Sequence, residues 1–358
     1  MRYYNIEDDL KNYKDPWCYI VIGGRQTGKT YSALKYCYTN NKKFIFLKRT
    51  NNDIDLICSG ANKGGLTIDI SPFKPLNRDL GCDVKARKIM NGLGAFFNYE
   101  SDGDKEYPIG EPVGYIMSLN IASDIKGLGI DDAEYMIFDE FIPQPWERVN
   151  RKEGEQVLDM YVTSNRDREQ RGKTELKLIC LANATSISNK MFDVLEITDD
   201  VSEMCVTDKE YHYIESRGIL IHKLEDSDKF INDEENSKIF KAMENTQWHS
   251  VVVGNDFAYD DFSNVSYNTL KGFKGVCAVK YKNYTYYIYK KGLNYYMCTS
   301  GYSDYAKEYY DLSLNNDISL FYNKWIFKLK DACINNRMKF SKFTMYDLIV
   351  NYKKYFKI

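Results

Sequence analysis

The sequence is poor in the residues that build disulfide frameworks and metal centres. Its nine cysteines are an odd number, none of them pairs with another at CxxC spacing, and only three histidines are present. This pattern argues against a disulfide scaffold or a zinc site and is typical of a reducing cytoplasm. No run of 18 apolar residues occurs, and the polar, acidic first 15 residues do not resemble a signal peptide. We therefore expect neither a membrane-spanning helix nor a secreted protein.

A strong excess of one charge is also missing, because the formal net charge is only −2. The charges are nevertheless unevenly distributed. Residues 265–358 contain 15 Lys and one Arg against six acidic residues, a net charge of +10, so the rest of the chain carries −12. The same segment contains 16 of the 31 tyrosines. A basic, aromatic segment suggests a surface that faces nucleic acid, although tyrosine also favours β-sheets through packing alone.

The length of 358 residues predicts two domains. Residues 1–198 alternate between short apolar runs and helical patterns, which predicts a mostly parallel sheet covered on both faces. Residues 199–247 are acidic and polar, and we interpret them as a linker or hinge region. Residues 248–358 contain three β-rich runs separated by turn residues and then two helical segments. This order predicts an antiparallel meander followed by helices, and thus an α+β domain after an α/β domain.

The strands and helices of the first domain can be assigned from apolar runs. Buried strands are expected where a run of four or more apolar residues is followed by a glycine or a polar residue. Helices are expected where apolar residues recur every three to four positions. We predict strands at 17–22, 44–47, 114–119, 135–138 and 176–182, helices at 29–38 and around 157–162, and hairpins within 59–112.

Residues 23–30 match the phosphate-loop pattern G-x-x-x-x-G-K-[ST] in full. The glycines let consecutive backbone N–H groups face the phosphates of a nucleotide, and the helix that follows adds its positive end. A chance match in a chain of this length has odds of about one per cent. The pattern predicts an ATP site, with Lys29 on the β- and γ-phosphates and Thr30 on Mg²⁺. The loop residues that would surround the phosphates are Gly23, Gly24, Arg25, Gln26, Thr27 and Gly28.

The strand predicted at 135–138 is followed directly by two carboxylates. Asp139 would hold Mg²⁺ through water, and Glu140 would orient and deprotonate the attacking water. A second carboxylate at this point favours hydrolysis over phosphoryl transfer to another acceptor. The alternative is a solvated acidic turn after a core strand, which the phosphate loop makes the weaker interpretation.

A polar amide ends the strand predicted at 176–182. Asn183 follows five apolar residues and precedes Ala184 and Thr185. In an additional-strand ATPase, an amide or hydroxyl at this place senses the γ-phosphate, so we predict that role for Asn183. A strand-end asparagine that caps a turn is the alternative.

Several of these motifs resemble those of viral DNA-packaging motors. Arg25 lies early in the phosphate loop, as an arginine does in viral terminases, and residues 118–129 form a Ser/Lys segment before the carboxylate strand. Residues 137–142, 165–168, 180–186 and 339–349 closely resemble the DNA-packaging ATPases of phi29-like phages. The resemblance is dense over 17–50 and 114–186, thin over 51–113 and 190–260, and moderate at the C-terminus.

The resemblance implies a ring motor, with five subunits expected, that uses ATP and Mg²⁺ to drive double-stranded DNA into a preformed capsid. The implied partners are the DNA, the capsid portal, further copies of the chain and a structural packaging RNA as an additional candidate. The implied location is the host cytoplasm, with transient attachment at the portal vertex, and no membrane is involved.

The resemblance also implies an arginine finger that reaches the ATP of a neighbouring subunit. Arg166 and Arg168 are the candidates, because both lie in the matching Asn-Arg-acid-Arg pattern. The chain departs from the family at Ser164, where phi29-type motifs have an arginine. Lys126 is a further candidate for action in trans. Surface residues without a catalytic role are the alternative for all three.

For the C-terminal domain, the resemblance implies a degenerate ribonuclease H-like fold. A nuclease of this fold needs clustered carboxylates for two metal ions, and the first predicted strand, 276–279, has none. Asp256, after residues 251–253, is an awkward substitute. We therefore predict a nucleic-acid-binding module without nuclease activity. The alternatives for the whole chain are a terminase-type ATPase with an active nuclease, and a DNA-bound P-loop ATPase that does not translocate.

Overall fold

The computed structural model describes the chain in two compact units. The residues described are 3–25, 27–63, 66–103, 105–121, 130–144, 146–224, 238–243, 246, 257, 260, 262–301, 308–356 and 358. Unit 1 comprises Met1–Leu195 and Thr207–Tyr259, and unit 2 comprises Glu196–Val206 and Asp260–Ile358. Among the described residues, no helix has both the length and the apolar composition that crossing a bilayer requires.

Unit 1 is built on a nine-stranded sheet with an additional two-stranded hairpin. The strands in chain order are β1 (Cys18–Gly23), β2 (Phe44–Lys48), β3 (Ala61–Lys63), β4 (Leu66–Ile68), β5 (Val84–Met90), β6 (Leu93–Asp102), β7 (Lys105–Ser118), β8 (Tyr135–Asp139), β9 (Lys177–Asn183), β10 (Tyr211–Ile214) and β11 (Ile219–Lys223). The order in the large sheet is β10-β11-β1-β9-β8-β2-β7-β6-β5, and β3 pairs with β4. The six strands from β11 to β7 are parallel, and both edges are antiparallel.

Helices accompany these strands along the chain. In unit 1 they are α1 (Ile6–Asn12), α2 (Lys29–Thr39), α3 (Asn51–Ser59), α4 (Lys74–Leu80), α5 (Glu153–Asn165) and α6 (Lys190–Leu195), and α7 (Thr198–Thr207) belongs almost entirely to unit 2. A short helix, α8 (Lys238–Met243), follows β11 in unit 1. Thr50 and Asp53 form a capping box that begins α3 directly after β2.

The central strands are buried on both faces. All six residues of β1 are buried, and so are the first four of β2 and of β8. Val21 packs in one core with Leu34 of α2. Ile20, its neighbour in β1, points to the other face of the sheet and is fully buried as well. Continuous apolar runs rather than alternating ones are what a parallel sheet covered on both faces requires.

Unit 2 is a five-stranded sheet with helices. Its strands are β12 (Lys274–Tyr281), β13 (Tyr284–Lys291), β14 (Asn294–Cys298), β15 (Tyr309–Asp311) and β16 (Met338–Phe340), in the order β15-β12-β13-β14-β16. Strands β12, β13 and β14 form an antiparallel meander, with β15 parallel to β12 and β16 parallel to β14. The later helices are α9 (Asn315–Phe321), α10 (Phe327–Ile334), α11 (Phe343–Val350) and α12 (Tyr352–Tyr355), with a π-helical turn at Tyr322–Ile326 between α9 and α10.

The mixed α/β fold with a large, mostly parallel sheet is confirmed. Strand β9 lies between the phosphate-loop strand β1 and the carboxylate strand β8, which is the additional-strand arrangement expected from the sequence. The meander and the later helices are present as well. The ribonuclease H-like relationship of unit 2 stays a prediction.

The structure differs from the linker interpretation of residues 199–247. Within that range, α7 lies almost wholly in unit 2, and β10 and β11 are strands of the unit 1 sheet. The apolar run at 219–221 explains the difference, because it pairs in parallel with buried residues of β1 in an otherwise acidic segment. The predicted boundary at 248 and the alternative strand at 251–256, including Asp256, lie outside the described residues.

Candidate functional site

The phosphate loop leads from β1 into α2. Gly28 is the N-cap of α2 and has a φ of +88°, a conformation that favours glycine. A Cβ atom at Gly23 would lie 2.8 Å from the side chain of Leu224, so this position accepts little more than a hydrogen. The sequence requirement for glycine at both places therefore has a local structural cause.

Lys29 begins α2 and turns back into the loop. Its Nζ donates to the carbonyl oxygens of Gly24 at 2.6 Å and Gly23 at 3.2 Å, and to Thr27 Oγ1 at 3.0 Å. Burial lowers the pKa of Lys29 to about 8, and the attraction of Asp139 only partly offsets this. The ammonium group is thus held in place by neutral oxygens, without a carboxylate bonded to it. Such a group gains more from an arriving phosphate than a lysine already in an ion pair.

The carboxylate strand delivers its two acids to the same end of the sheet. Thr30 donates its hydroxyl hydrogen bond to Asp139 Oδ1 at 2.7 Å. The next residue, Glu140, has a φ of +57°, a left-handed backbone conformation that is uncommon for a non-glycine residue. Its side chain is largely exposed, at 67%, whereas that of Asp139 is 12% exposed. The backbone turn therefore directs the two neighbouring carboxylates into different environments.

Lys48, the last residue of β2, bridges both acids. Its Nζ lies 3.1 Å from Asp139 Oδ2 and 3.3 Å from Glu140 Oε2. Burial alone would lower the pKa of Lys48, but Asp139 and Glu140 outweigh it, and the pKa is raised. In the sequence, Lys48 and Arg49 follow the apolar run of the second strand, a place compatible with a DNA phosphate contact, a nucleotide contact or solvation. Because β2 pairs with β8, Lys48 lies against the carboxylates of Asp139 and Glu140.

Arg49 fixes the segment that follows the acids. Its Nη2 donates to the carbonyl of Phe141 at 2.8 Å, and its Nε lies 2.9 Å from Glu153 Oε2 at the start of α5. Glu153 is only 3% exposed, and burial raises its pKa even though Arg49 opposes the shift. A solvated role for Arg49 is therefore excluded by the structure. The arginine ties β2, the turn after Glu140 and α5 together.

The phosphate loop and the two carboxylates line one cavity of about 240 Å³. Asn183 joins it from the end of β9, where its backbone is paired with Gly23 and its Oδ1 accepts from Lys29 Nζ at 3.3 Å. Its placement fits the predicted sensor role, which stays a prediction. The cavity is lined by Thr27, Gly28, Lys29, Thr30, Tyr31, Asp139, Glu140, Ala182 and Asn183.

The N-terminal segment contributes residues that sequence reasoning missed. The backbone N–H of Tyr4 donates to the carbonyl of Thr27, and that of Ile6 donates to Ser32 Oγ. The segment is anchored by Asp9, whose buried carboxylate lies 2.8 Å from Nδ1 of His222 on β11. The two hydrogen bonds hold the segment against the loop and the first turn of α2. No motif in the sequence marks these contacts, because they join residues distant along the chain.

The two arginine-finger candidates have opposite environments. Arg166, just after α5, has a side chain that is 77% exposed, with Asp167 as a loose partner at 3.6 Å. Arg168 is 3% exposed, and its guanidinium donates to the carbonyls of Thr174, Asp131 and Ala133. The donors of Arg168 already serve carbonyls of its own chain, which disfavours a finger role for this residue. Arg166 stays the candidate.

The remaining predicted residues are less informative. Arg25, within the phosphate loop, is exposed. Gln26 and Lys126 lie outside the described residues, so their roles stay predictions. In the parts of the chain that the structure describes, no group of three or more His, Cys, Asp or Glu side chains is arranged to hold a metal ion.

The chemistry of the donors suits a nucleotide with a hard divalent cation. The Thr30 hydroxyl and the Asp139 carboxylate, 2.7 Å apart, are oxygen ligands of the kind that Mg²⁺ prefers. The start of α2 and the Lys29 ammonium supply positive charge for phosphates. The Glu140 carboxylate is exposed at the same edge of the sheet, where it is paired with Lys48. The chemistry of these groups therefore suits a nucleoside triphosphate and its cation.

Comparison with known proteins identifies relatives along most of the chain. A family model described as podovirus DNA encapsidation protein (Gp16) matches residues 96–355. The DNA packaging protein of Bacillus phage PZA is 22% identical over 339 residues, which cover 90% of this chain and 88% of that protein. The DNA packaging protein of Bacillus phage B103 is 24% identical over 271 residues, with 74% and 71% covered.

Two solved structures share the fold over nearly the whole length. A chain of the bacteriophage Phi-29 viral genome packaging motor assembly superposes with a TM-score of 0.64, at 17% identity and with 99% of both chains covered. A chain of the Phi-28 gp11 DNA packaging motor gives a TM-score of 0.60 at 18% identity, covering 99% of this chain and 98% of that one. At these identities the likeness concerns the fold.

Proposed function

Because the chain belongs to the family of podovirus DNA encapsidation proteins (Gp16), it is a DNA packaging protein, and we propose that it packages by acting as an ATP-driven motor. The observation that carries the proposal is the convergence of Lys29, Thr30, Asp139 and Glu140 in one cavity at the ends of parallel strands. The reaction is hydrolysis of ATP to ADP and phosphate, and its work is the movement of double-stranded DNA into a preformed capsid.

In this proposal the phosphate loop binds and orients the triphosphate. Lys29 exchanges its bonds to backbone carbonyls for the β- and γ-phosphate oxygens, and the N–H groups at the start of α2 face the same anion. Thr30 and Asp139 would hold Mg²⁺, which when bound supplies charge neutralisation on the phosphates. Asn183, which already contacts Lys29, would report the γ-phosphate.

Glu140 would act as the general base. Its exposed carboxylate can accept a proton from water. In the structure, however, Glu140 and Asp139 both pair with the ammonium of Lys48. The Lys48 Nζ lies 3.3 Å from Glu140 Oε2, so one of the two carboxylate oxygens is already engaged. In this proposal Glu140 leaves Lys48 before it accepts the proton, and Lys48 holds the carboxylate in place while the pair is intact.

Arg166 would complete the site of a neighbouring subunit in a homo-oligomeric ring, for which five subunits are the expected number. Its exposure at the end of α5, and its lack of strong internal partners among the described residues, suit a residue that acts outside its own chain. Lys126 is retained as a second candidate in trans. The further partners in the proposal are the capsid portal and a structural packaging RNA, with the motor in the host cytoplasm and transiently at the portal vertex.

A packaging assay tests this function directly. Purified capsids, double-stranded DNA, ATP and the full-length chain should yield DNA protected from added DNase, and the DNA should stimulate ATP hydrolysis. DNA-stimulated hydrolysis without protected DNA would favour the non-translocating ATPase. Metal-dependent cutting of plasmid DNA by the chain would favour a terminase with an active nuclease. Absence of hydrolysis under all conditions would contradict the ATPase assignment itself.

A further inference from the structure

Residues 3–6 lie against the phosphate loop and the helix that follows it. The backbone N–H of Tyr4 donates to the carbonyl of Thr27 at 3.1 Å. The backbone N–H of Ile6 donates to Ser32 Oγ, in the first turn of α2, at 2.8 Å. Both bonds join the loop or its helix to a segment that is distant along the chain. We call residues 3–6 the N-terminal clasp.

The Tyr4 bond fixes the orientation of the peptide between Thr27 and Gly28. In a trans peptide, the carbonyl and the following N–H point in opposite directions. Because the carbonyl of Thr27 is bonded to the clasp, the N–H of Gly28 is directed away from it, and Gly28 lines the nucleotide cavity. Glycine tolerates several backbone conformations, so residue 28 by itself does not hold this orientation. A loop N–H with a fixed direction is preorganised for phosphate oxygens.

The clasp also covers the loop from outside. A Cβ atom added to Gly28 would lie 3.3 Å from the Cβ of Tyr3, so the two backbones approach closely. The clasp and the glycine therefore fit together without room for a larger residue in the loop.

A buried carboxylate anchors the clasp. Asp9 on α1 is 1% exposed. Its oxygens accept hydrogen bonds from three side chains: the Tyr4 hydroxyl at 2.8 Å, the Tyr211 hydroxyl at 3.3 Å and His222 Nδ1 at 2.8 Å. An ionised carboxylate only accepts, so Nδ1 carries the hydrogen. Burial and then the charge of Asp9 raise the pKa of the Tyr4 hydroxyl well above its usual value, which keeps this hydroxyl a donor.

His222 connects the carboxylate to the sheet from which the phosphate loop emerges. It lies on β11, where it is in parallel register with Val21 of β1. On the other side it is opposite Tyr211 of β10, and the two rings stack with centroids 4.0 Å apart. Its second ring nitrogen, Nε2, lies 3.2 Å from Glu210 Oε1. Buried contacts to this sheet therefore set the position of the clasp relative to the loop.

We propose that Asp9 is a positioning residue for nucleotide binding, which acts through the clasp on the phosphate loop. The carboxylate holds Tyr4, Tyr4 holds the peptide between Thr27 and Gly28, and that peptide is presented to the phosphates. Asp9 itself does not contact the nucleotide. The inference rests on the proposed function, because it places the phosphates of ATP in this cavity. A loop that is held for binding stabilises the bound ground state and the transition state alike, so affinity changes and turnover does not.

Asp9→Asn tests the anchor, since asparagine keeps the size of the side chain but removes the charge. The Kd for ATP and the KM should rise by about tenfold, whereas kcat should stay within about twofold. The Kd for ADP should rise by the same factor, because the clasp contacts the loop that both nucleotides share. Calorimetric titration and steady-state phosphate release by the full-length chain measure these quantities.

Denaturant titration without nucleotide separates positioning from folding. A role confined to folding would lower the free energy of unfolding but leave the Kd of the folded variant unchanged, and that result would overturn the inference. Glu7→Gln is the matched control, because it removes an acidic charge from the same helix, where Glu7 pairs with Lys11 at the surface. Its Kd for ATP should equal that of the unmodified chain.

A second pair of variants tests the clasp without touching Asp9. Tyr4→Ala and Tyr4→Pro both lose the ring, but only proline lacks the N–H that bonds Thr27. Tyr4→Pro should bind ATP about fivefold more weakly than Tyr4→Ala. Equal affinity of these two variants would overturn the inference and leave the proposed function intact. Absence of ATP binding by the unmodified chain would overturn both.

Discussion

Lysines at the nucleotide cavity of unit 1 and at the meander end of unit 2 have contrasting environments. Lys29 is buried and Lys48 is half-buried, and both are bonded inside the chain. Desolvation lowers the pKa of Lys29, whereas carboxylates outweigh desolvation at Lys48 and raise its pKa. Lys274 and Lys290 are exposed, face each other, and have no carboxylate partner among the described residues. A buried, preorganised charge suits one small ligand in one geometry, whereas exposed charges suit a polymer held in many registers.

The largest expected effect is loss of hydrolysis in Lys29→Ala. The variant removes both the phosphate contact and the charge that stabilises the reaction, so the rate should fall by more than about 10³-fold. Lys35→Ala is the matched control, because it removes an exposed lysine from the same helix and should leave the rate unchanged. Steady-state phosphate release measures both. Normal turnover by Lys29→Ala would refute the assignment of the cavity.

The next effect separates Arg166 from Arg168. Arg166→Ala should leave stability within about 0.5 kcal/mol but lower hydrolysis by the ring by about 10³-fold, as expected for a finger in trans. Mixing it with Lys29→Ala subunits should restore part of the activity, since some subunit pairs then form an intact composite site. No restoration would place the finger elsewhere, with Lys126 as the remaining candidate.

Arg168→Ala should show the reverse pattern. The carbonyl of Ala133, which is buried, and those of Thr174 and Asp131, which are partly buried, lose their charged donor. The free energy of unfolding should therefore fall by about 3 kcal/mol. Denaturant titration measures this loss. Stable Arg168→Ala protein with strongly reduced hydrolysis would reverse the roles assigned to the two arginines.

The smallest effect concerns pH. The pKa of Lys29 is lowered to about 8 by burial, so the ammonium is mostly charged at pH 7 and mostly neutral by pH 9. Phosphate binding favours the charged form, so nucleotide binding should take up a proton above about pH 8 and weaken by up to about tenfold per further pH unit. Calorimetric titrations in buffers of different ionisation enthalpy measure the uptake. Affinity that is constant from pH 7 to pH 9 would show that Lys29 is not the group that meets the phosphates.

Local patterns were sufficient to predict most of the parallel sheet and the nucleotide cavity. The phosphate loop and the carboxylate strand are defined by residues adjacent in sequence, and their convergence follows from parallel strands ending at one edge. Asn183 could be placed in the same way, by the apolar run before it. The meander was predictable because its strands are joined by short turns.

Other features depend on contacts that spacing does not reveal. Strand β11 lies in a segment whose acidic composition masked a three-residue apolar run, and β10 is a short edge strand with no continuous apolar run. The contact of Lys48 with Asp139 needs the pairing of β2 with β8, which no motif encodes. Arg166 and Arg168 look equivalent in sequence, and only burial separates them.

Single-turnover analysis of Glu140→Gln tests the central claim most directly, that one cavity both binds and hydrolyses ATP. Glutamine keeps the size of the side chain but cannot accept the water proton, whereas Lys29, Thr30 and Asp139 are untouched. The variant should bind ATP with an affinity close to that of the unmodified chain and hydrolyse it about 10²–10⁴-fold more slowly. Hydrolysis within a few-fold of the unmodified rate would contradict the account, because the base would then be another residue.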